Sequence, residues 1–467
     1  MKNINLNMNK KTIPLSYEIT HLYEDVNISK KELKRLLDIA SWDNAMPTFP
    51  ETGRTAWEVL QEPVSLKSNP SHQLLAAKFK GVGFYNPVSG RKFRSIISED
   101  LKSQPIPPTT QSLDSRAFAH VGITEDGGFR FVWGSAAPIG GIVHKRAIQG
   151  FKVSSQLAKS KVPSIVPLAV IKYGNELNFN GEPMGAFIAL SEGKSPLRAS
   201  EVFYGEAVSA PGTNPITDAF YKEICKIYRT AYKPESEIAR LRLKIKMAKT
   251  IGQSLKRFHS AGLYRHNNDW CNYQYSLETQ NIAFTDLDSS QLVAANNLTP
   301  VQQTFEYLRD VGSAVYWLVE GLQYPTILDK YTLSNILKFN PIAAFLEGYF
   351  PLAEPKELRR LSEHFYHAFA PNWFLMKKRQ AEMMLECWDY RRVRSLKLDK
   401  NFYCVYVIIC LSPIMERFAP AKGYSGRTSE KILLQRAEKF LGDKYEYFLF
   451  LYNATKKMAN APIAMVS

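Results

Sequence analysis

The chain has 467 residues, which is long enough to bury a large core and to form roughly two to four structural units. Its formal net charge of +16 favours anionic partners, namely nucleotides, nucleic acid, acidic proteins or a membrane surface. The Lys and Arg residues are spread through helical patterns without a nucleic-acid motif. A solvated basic face is therefore the simpler interpretation, and nucleic acid is not expected as a partner.

The same composition limits location and metal chemistry. No run approaches the about 18 apolar residues of a membrane helix, so no transmembrane segment is predicted. The N-terminus lacks the apolar core of a secretory signal peptide, and we expect a cytoplasmic protein or a secreted effector without a classical signal peptide. The five cysteines show no spacing typical of a zinc site or a disulfide framework, which fits a reducing compartment.

The first 200 residues are predicted to be rich in strands. A disordered start at residues 1–12 precedes a short helix at Glu32–Trp42. Alternating apolar residues and turn residues then predict strands at Gln73–Lys80 and Arg91–Ile97, a hairpin over Phe118–Trp133, a helix at Arg146–Lys159, and strands at Val166–Lys172 and Met184–Leu190. Ser98–Ser115 contains several prolines and is predicted to be a linker or an excursion.

Beyond about Pro215 the pattern becomes helical. A long basic helix ending near Gly262 carries a predicted buried stripe made of Ala239, Leu243, Met247, Ile251, Leu255 and Phe258. Further helices are predicted at Asp310–Leu322, at several places between Pro355 and Met415, and from Ser429 to about Tyr452. The predicted fold class is therefore α+β, with a strand-rich first part and a helical second part. Nucleotide clefts often lie between two such parts.

The stretch from Leu263 to Asp288 is the best candidate for chemistry. It places carboxylates, carboxamides, a His and an Arg in two polar patches around the apolar run Ile282–Phe284. Mg²⁺ takes few oxygens from protein and the rest from phosphates and water, and Asn272 with Asp286 would supply such oxygens from adjacent loops. The alternative is a solvated hairpin whose Asn and Asp residues only form turns.

A second candidate lies in the strand-rich part. Lys80 ends an apolar strand directly before Gly81 and Gly83, where a Lys can reach phosphates and glycines let the backbone approach them. A surface Lys before a turn is the alternative interpretation. No GxxxxGK[ST] loop is present, so a P-loop enzyme is not expected.

The order of these features resembles the protein kinase fold and, in detail, the selenoprotein O family of protein adenylyltransferases. Four short motifs of that family, covering roughly residues 75 to 290, are similar in order to Phe79–Tyr85 with Ser89–Arg91, to Lys161–Leu168, to Gly185–Arg198, and to Gly262–Asn272 followed by Asp286. Asp310 also resembles the kinase-fold Asp that braces the catalytic loop from a buried helix, although an Asp there can equally cap a helix.

The resemblance implies a bilobal, kinase-like fold with a strand-rich N-lobe, a helical C-lobe and extra C-terminal helices. The implied organisation is an N-terminal extension packing on the small lobe (residues 1–70), the N-lobe (71–200) with an insertion at about 98–140, the C-lobe (201–400) and a C-terminal helical extension (401–467).

The resemblance also implies roles for particular residues. Nucleotide would be bound by Lys80, Gly81, Gly83, Arg198 and Arg265, the metal ion (Mg²⁺ or Mn²⁺) by Asn272, Asp286 and Asp288, and catalysis would involve Lys80, Asp269 and Asn267. Asp269 is the candidate general base. Asn267 and Cys271 stand where related enzymes carry acids, and the helix segment Phe151–Gln156 offers no Glu to pair with Lys80.

The implied activity is transfer of AMP from ATP, with Mg²⁺, to a Ser, Thr or Tyr hydroxyl of a protein. If only the fold is shared, the alternatives are a phosphotransferase acting on a protein or a small molecule, and a pseudokinase scaffold that binds nucleotide. A basic scaffold for acidic protein or RNA is an alternative from a different class.

Overall fold

The computed structural model describes residues 14–50, 55–86, 104–113, 119–124, 128–133, 137–199, 215–265, 268, 270–323, 331–366, 404–415, 417–418, 430–446, 448–450 and 452–453. The chain divides into two compact units. Unit 1 comprises Met1–Asp114, Ala136–Ser155 and Ile165–Ser195, and unit 2 comprises Ser115–Ser135, Gln156–Ser164 and Pro196–Ser467. The predicted α+β class is confirmed, with a strand-rich N-terminal sheet and a helical C-terminal part.

The strands are β1 (Tyr17–Leu22), β2 (Val26–Asn27), β3 (Thr55–Leu66), β4 (Gln73–Lys80), β5 (Phe84–Asn86), β6 (Gln104–Ile106), β7 (Ser112–Leu113), β8 (Ala119–Ile123), β9 (Phe129–Trp133), β10 (Ala137–Pro138), β11 (Ile142–Val143), β12 (Val166–Tyr173), β13 (Asn178–Phe179), β14 (Glu182–Ser191), β15 (Leu263–Arg265), β16 (Tyr273–Ser276), β17 (Asn281–Phe284) and β18 (Ser290–Leu292).

The helices are α1 (Lys30–Ser41), α2 (His144–Lys159), α3 (Pro215–Ile227), α4 (Glu237–Ser260), α5 (Pro300–Gln323), α6 (Leu333–Phe339), α7 (Pro341–Tyr349) and α8 (Glu430–Leu441), and residues 355–366 and 404–415 are also helical. Within the described residues, no helix combines the length and apolar character needed to cross a membrane.

Unit 1 is built on an eight-stranded sheet in the order β1-β12-β14-β4-β3-β2, with β11 and β13 also pairing with β14. The central strands β12, β14 and β4 are almost wholly buried. Helix α1 packs onto this core through Leu36 and Ala40. It begins at Ser29, whose hydroxyl accepts a hydrogen bond from the Glu32 N–H at 3.2 Å.

Most predicted elements of unit 1 are present. β4 has the predicted bounds, whereas β12, β14, α1 and α2 differ from the predicted segments only at their ends. Several strands were not predicted, among them β1 at the sheet edge, which is largely exposed, and β3, whose register shifts between Val59 and Val64. Neither shows the clean alternation on which strand prediction depends.

Two further predictions fall in the loop region of unit 1. Ser98–Ser115, predicted to be a linker, contains β6, which pairs with β5, and β7, which pairs with β10, so that prediction was wrong in part. The predicted strand Arg91–Ile97 lies outside the described residues.

Unit 2 is mainly helical. Helices α4 and α7 cross closely at Gly252 and Gly348. The helices are so close there that a Cβ at either glycine would collide with backbone atoms of the other helix. The predicted stripe of α4 is buried from Leu243 to Phe258, and α5 begins well before the predicted Asp310. The predicted hairpin over Phe118–Trp133 is the β8–β9 pair.

The predicted last helix, from Ser429 to about Tyr452, is interrupted in the structure. Helix α8 ends at Leu441, and a short 3₁₀ turn follows at Gly442–Lys444. Gly442 has a φ of +54°, a left-handed conformation that ends a regular helix and that glycine adopts without steric cost.

Candidate functional site

The polar stretch of unit 2 is organised by a short hairpin. Strands β16 and β17 pair antiparallel, with Tyr273 opposite Phe284, and the Thr285 N–H donates to the Asn272 carbonyl oxygen at 3.0 Å. Asn272 therefore enters the hairpin next to the point where Asp286 leaves it. The chain then forms a 3₁₀ turn at Leu287–Ser289, and β18 returns to pair with β15.

Asp286 has a left-handed backbone conformation, with φ 53° and ψ 54°. Residues other than glycine adopt this region infrequently, and such conformations persist where the surrounding structure holds them. The Arg265 guanidinium supplies that support, because its Nη2 donates to the Thr285 carbonyl at 2.9 Å and to the Asp286 carbonyl at 3.0 Å. The carboxylate of Asp286, by contrast, is partly exposed.

Arg265 is itself fully buried. Its guanidinium lies about the same distance from two rings, 6.0 Å from the centroid of Phe258 and 5.9 Å from that of Phe284. A buried cation is costly unless hydrogen bonds and nearby π-systems compensate for lost hydration. The buried Arg265 side chain thus supports the Asp286 backbone, and its expected contact with nucleotide stays a prediction.

Asp310, on helix α5, contacts the backbone of Arg265 at the end of β15. Its Oδ2 accepts from the Arg265 backbone N–H at 2.6 Å and contacts His259 Nε2 at 3.2 Å. Asp310 lies in the middle of α5, so the alternative that it caps the start of a helix does not apply. The kinase-like interpretation of Asp310, as a brace of the loop, agrees with this geometry.

His259 extends the network to helix α7. Burial lowers the pKa of His259, although Asp310 partly opposes this, so the neutral imidazole is favoured. Because the Asp310 carboxylate acts as an acceptor, the imidazole proton lies on Nε2 and Nδ1 accepts from the Tyr349 hydroxyl. Burial raises the pKa of Tyr349 well above its ordinary value, which keeps that hydroxyl a donor.

Two further residues, Asn268 and Trp270, are hydrogen-bonded to α5. The Asn268 backbone N–H donates to Ser313 Oγ at 3.1 Å, and the Asn268 side-chain oxygen accepts from the Tyr273 hydroxyl at 2.7 Å. Trp270 Nε1 donates to the Ala314 carbonyl at 3.0 Å. The sequence motifs did not identify these anchors. Asn267 and Asp269, two of the three predicted catalytic residues, lie outside the described residues, so their roles stay predictions.

Arg198 reaches the site from a neighbouring segment. Its backbone is fixed beside β16, since the Ala199 N–H donates to Tyr273 O at 2.8 Å and the Tyr275 N–H donates to Leu197 O at 2.9 Å. Arg198 Nη1 donates to the Cys271 carbonyl at 2.9 Å and lies 3.4 Å from Asp286 Oδ2. The structure therefore brings together two residues that are far apart in sequence and that were both predicted to belong to the site.

The side-chain oxygens at this site suit a metal ion that takes most of its ligands from phosphates and water. Asp286 and Asn272 leave the same end of the hairpin, and Asp288 lies in the turn that follows; all three are partly exposed. Within the described residues, no group of three or more His, Cys, Asp or Glu side chains could hold a metal by itself. Mg²⁺ bound together with phosphates needs only one or two protein carboxylates, so these residues fit such an ion and not a closed structural metal site.

Lys80, Gly81 and Gly83 belong to unit 1. Lys80 is the last residue of β4 and is partly buried. Gly81 and Gly83 have φ values of +95° and +117°, and a Cβ at either would collide with a backbone carbonyl, that of Gly185 or of Ile106. Close packing within unit 1 therefore requires glycine at both positions, and their expected role beside phosphates stays a prediction.

No protein-family model and no curated protein matches this sequence. Among solved structures, the chain is similar to "WaaP in complex with acyl carrier protein", with 14% identity over 60% of this chain and 85% of that one and a TM-score of 0.28. It is also similar to ROP2 from Toxoplasma gondii, described as a virulence factor with a protein-kinase fold and no enzymatic activity. The identity is 11% over 81% of this chain and 93% of that one, and the TM-score is 0.26. At these TM-scores neither likeness carries an argument about chemistry, and the function has to be inferred from the residues of this chain.

Proposed function

We propose that the chain binds ATP together with Mg²⁺ or Mn²⁺ at Asp286 and Asn272 and transfers AMP to a protein hydroxyl. The observation that supports this most is the support of Asp286. A buried guanidinium holds its backbone in a left-handed conformation, while its carboxylate stays partly exposed beside Asn272. A residue that only forms a turn does not require a buried cation beneath it, so the geometry favours a ligand-binding role over the turn-only alternative.

The surrounding network supports the same proposal. Positioning and charge neutralisation account for most catalysis in phosphoryl and nucleotidyl transfer, and both depend on rigid attachment of the groups concerned. Arg265, Asn268 and Trp270 are hydrogen-bonded to α5 through Asp310, Ser313 and Ala314. These anchors would hold Asn272 and Asp286 in place while ligand binds and leaves.

In the proposed reaction the oxygen of the acceptor hydroxyl attacks the α-phosphorus of ATP. A new P–O ester bond forms, the bond from the α-phosphorus to the oxygen bridging to the β-phosphate breaks, and pyrophosphate leaves. The metal ion would neutralise phosphate charge. Asn272 and Asp286, with Asp288, would hold it, Arg198 would add positive charge, and Asp269 would accept the hydroxyl proton.

Two other outcomes stay open. Transfer of the γ-phosphate would make the chain a phosphotransferase for a protein or a small molecule, since a shared fold does not decide the chemistry. Asn267 and Cys271, where related enzymes have acids, favour a nucleotide-binding pseudokinase as the second candidate. Loss of a general base does not by itself exclude transfer, because its help is typically worth about 10² to 10⁴ in rate.

Mass spectrometry of the full chain and of acceptor proteins, after incubation with ATP and Mg²⁺, tests the proposal. AMP and phosphate add different masses, so the product identifies the reaction. Asp286→Asn should abolish the modification without unfolding the chain, because Asn also tolerates the left-handed conformation. The matched control is Asp443→Asn, which removes an exposed carboxylate from the 3₁₀ turn after α8 and should leave activity unchanged.

The results separate the candidates. Phosphate addition that requires Asp286 would replace AMP transfer by phosphotransfer. An ATP- and Mg²⁺-dependent rise in melting temperature without any modification would favour the pseudokinase. Full activity in Asp286→Asn would show that the metal site has been placed at the wrong residue.

A further inference from the structure

Two arginines converge on Asp286. Arg265 holds its backbone carbonyl from the buried side, whereas the Arg198 guanidinium contacts its carboxylate oxygen at 3.4 Å. The carboxylate proposed to bind a metal ion therefore already has an internal cation beside it.

We propose that Arg198 is an exchangeable counter-ion of Asp286 and competes with a divalent cation for its carboxylate. This inference rests on the proposed function only in assigning the metal to Asp286. It concerns the chain before any nucleotide binds, so it can be tested with the metal alone.

Two contacts place Arg198 for this role. Its Nη1 also donates to the Cys271 carbonyl at 2.9 Å, one residue before Asn272, so the guanidinium lies beside both loops that border the candidate metal site. The backbone on either side is fixed by the hydrogen bonds of Leu197 and Ala199 to β16, which do not involve the Arg198 side chain. Replacing this side chain should therefore leave the segment in position.

The ion pair between Arg198 and Asp286 is weak enough for a metal ion to displace the guanidinium. The Arg198 and Asp286 side chains are 30% and 22% exposed, so water and salt screen their attraction. A divalent cation on the same carboxylate would gain stronger attraction but would be repelled by the guanidinium at short range. Removing the guanidinium should therefore strengthen binding of the metal alone, whereas a residue that only stabilises the loop should weaken it when removed.

Electron paramagnetic resonance of Mn²⁺ with the full chain, without nucleotide, measures this directly. We expect Arg198→Gln to bind Mn²⁺ about two- to fivefold more tightly than the unaltered chain, the range supported by a partly exposed ion pair. Arg198→Lys keeps the charge and should stay close to the unaltered chain. Asp286→Asn should lose the site.

Arg257→Gln is the matched control, because Arg257 is an exposed arginine of α4 and its loss changes the net charge equally. Equal or weaker Mn²⁺ binding in Arg198→Gln, tighter binding of the same size in Arg257→Gln, or no Mn²⁺ binding by either Arg198→Gln or the unaltered chain would each overturn the proposal. If Arg198→Gln does not fold, Arg198→Met replaces it under the same criteria.

The proposed function can fail separately. If ATP with Mg²⁺ neither binds nor modifies an acceptor, the nucleotide assignment is wrong, yet tighter Mn²⁺ binding in Arg198→Gln would still establish the counter-ion role of Arg198.

Discussion

The sheet of unit 1 and the loop network of unit 2 are both buried, but they are held together by different kinds of interaction. The sheet has a core of apolar side chains on paired strands, with Leu168, Ile171 and Ile188 fully buried. The network buries ionisable groups just as completely, among them Arg265 and Asp310. Apolar contacts are non-directional, so trimming one apolar side chain lowers the free energy of unfolding gradually. A buried charge that loses its partner is costly. The network should therefore be far less tolerant of substitution than the sheet.

The largest expected effect is in the network. Asp310→Ala would leave the buried Arg265 N–H and the His259 imidazole without their acceptor, and we expect it to reduce the free energy of unfolding by about 3 kcal/mol. Chemical denaturation measures this, with Asp443→Ala as the control for loss of a carboxylate. A loss below that of a single methyl deletion in the sheet would contradict the comparison.

A smaller effect is expected in the sheet. Ile188 is fully buried on β14, and Ile188→Val removes one methylene group without changing polarity. The expected loss is about 1 kcal/mol, the transfer term plus a small cavity. The same denaturation experiment measures it. A loss equal to that of Asp310→Ala would indicate that packing in the sheet is as intolerant as the network.

The smallest expected effects are changes in the pH dependence of stability, which one histidine in each region contributes with opposite sign. A hydrogen bond to Glu192 raises the pKa of His72 in unit 1 despite partial burial, so its contribution is fully present below the unfolded pKa of about 6.5 and is lost as pH rises through the folded value. Burial lowers the pKa of His259 in unit 2. The unfolded chain then binds the proton more tightly, and stability is lost as pH falls below about 6.5.

Thermal melts of His72→Gln and His259→Gln between pH 5 and pH 8 separate the two contributions. His72→Gln should cost stability mainly at the acid end of that range, and it should change little at the alkaline end. His259→Gln should weaken the chain at every pH but should remove part of the acid-induced loss. The same pH slope in both variants would refute the opposite assignments.

Local patterns were sufficient for elements with a regular period. The alternating apolar residues of β4 and the regular stripe of α4 predicted both elements, because each period repeats within a few residues of the chain. The exposed edge strand β1 and the irregular strand β3 were not predicted, since their pairing depends on distant residues. The end of α8 at Leu441 was missed although Gly442 follows it, because glycine inside a helical pattern is an ambiguous signal.

The candidate site shows the same division. The residue types and the spacing of Asn272 and Asp286 are local features, and they were sufficient to predict a polar candidate site, whereas the bracing role of Asp310 was implied only by the resemblance to the kinase fold. Only the tertiary structure decided that Arg265 is buried beneath Asp286 and that Arg198 contacts the Asp286 carboxylate. Whether an arginine faces solvent, a phosphate or the protein interior depends on which distant segments surround it, and no pattern within a few residues records that.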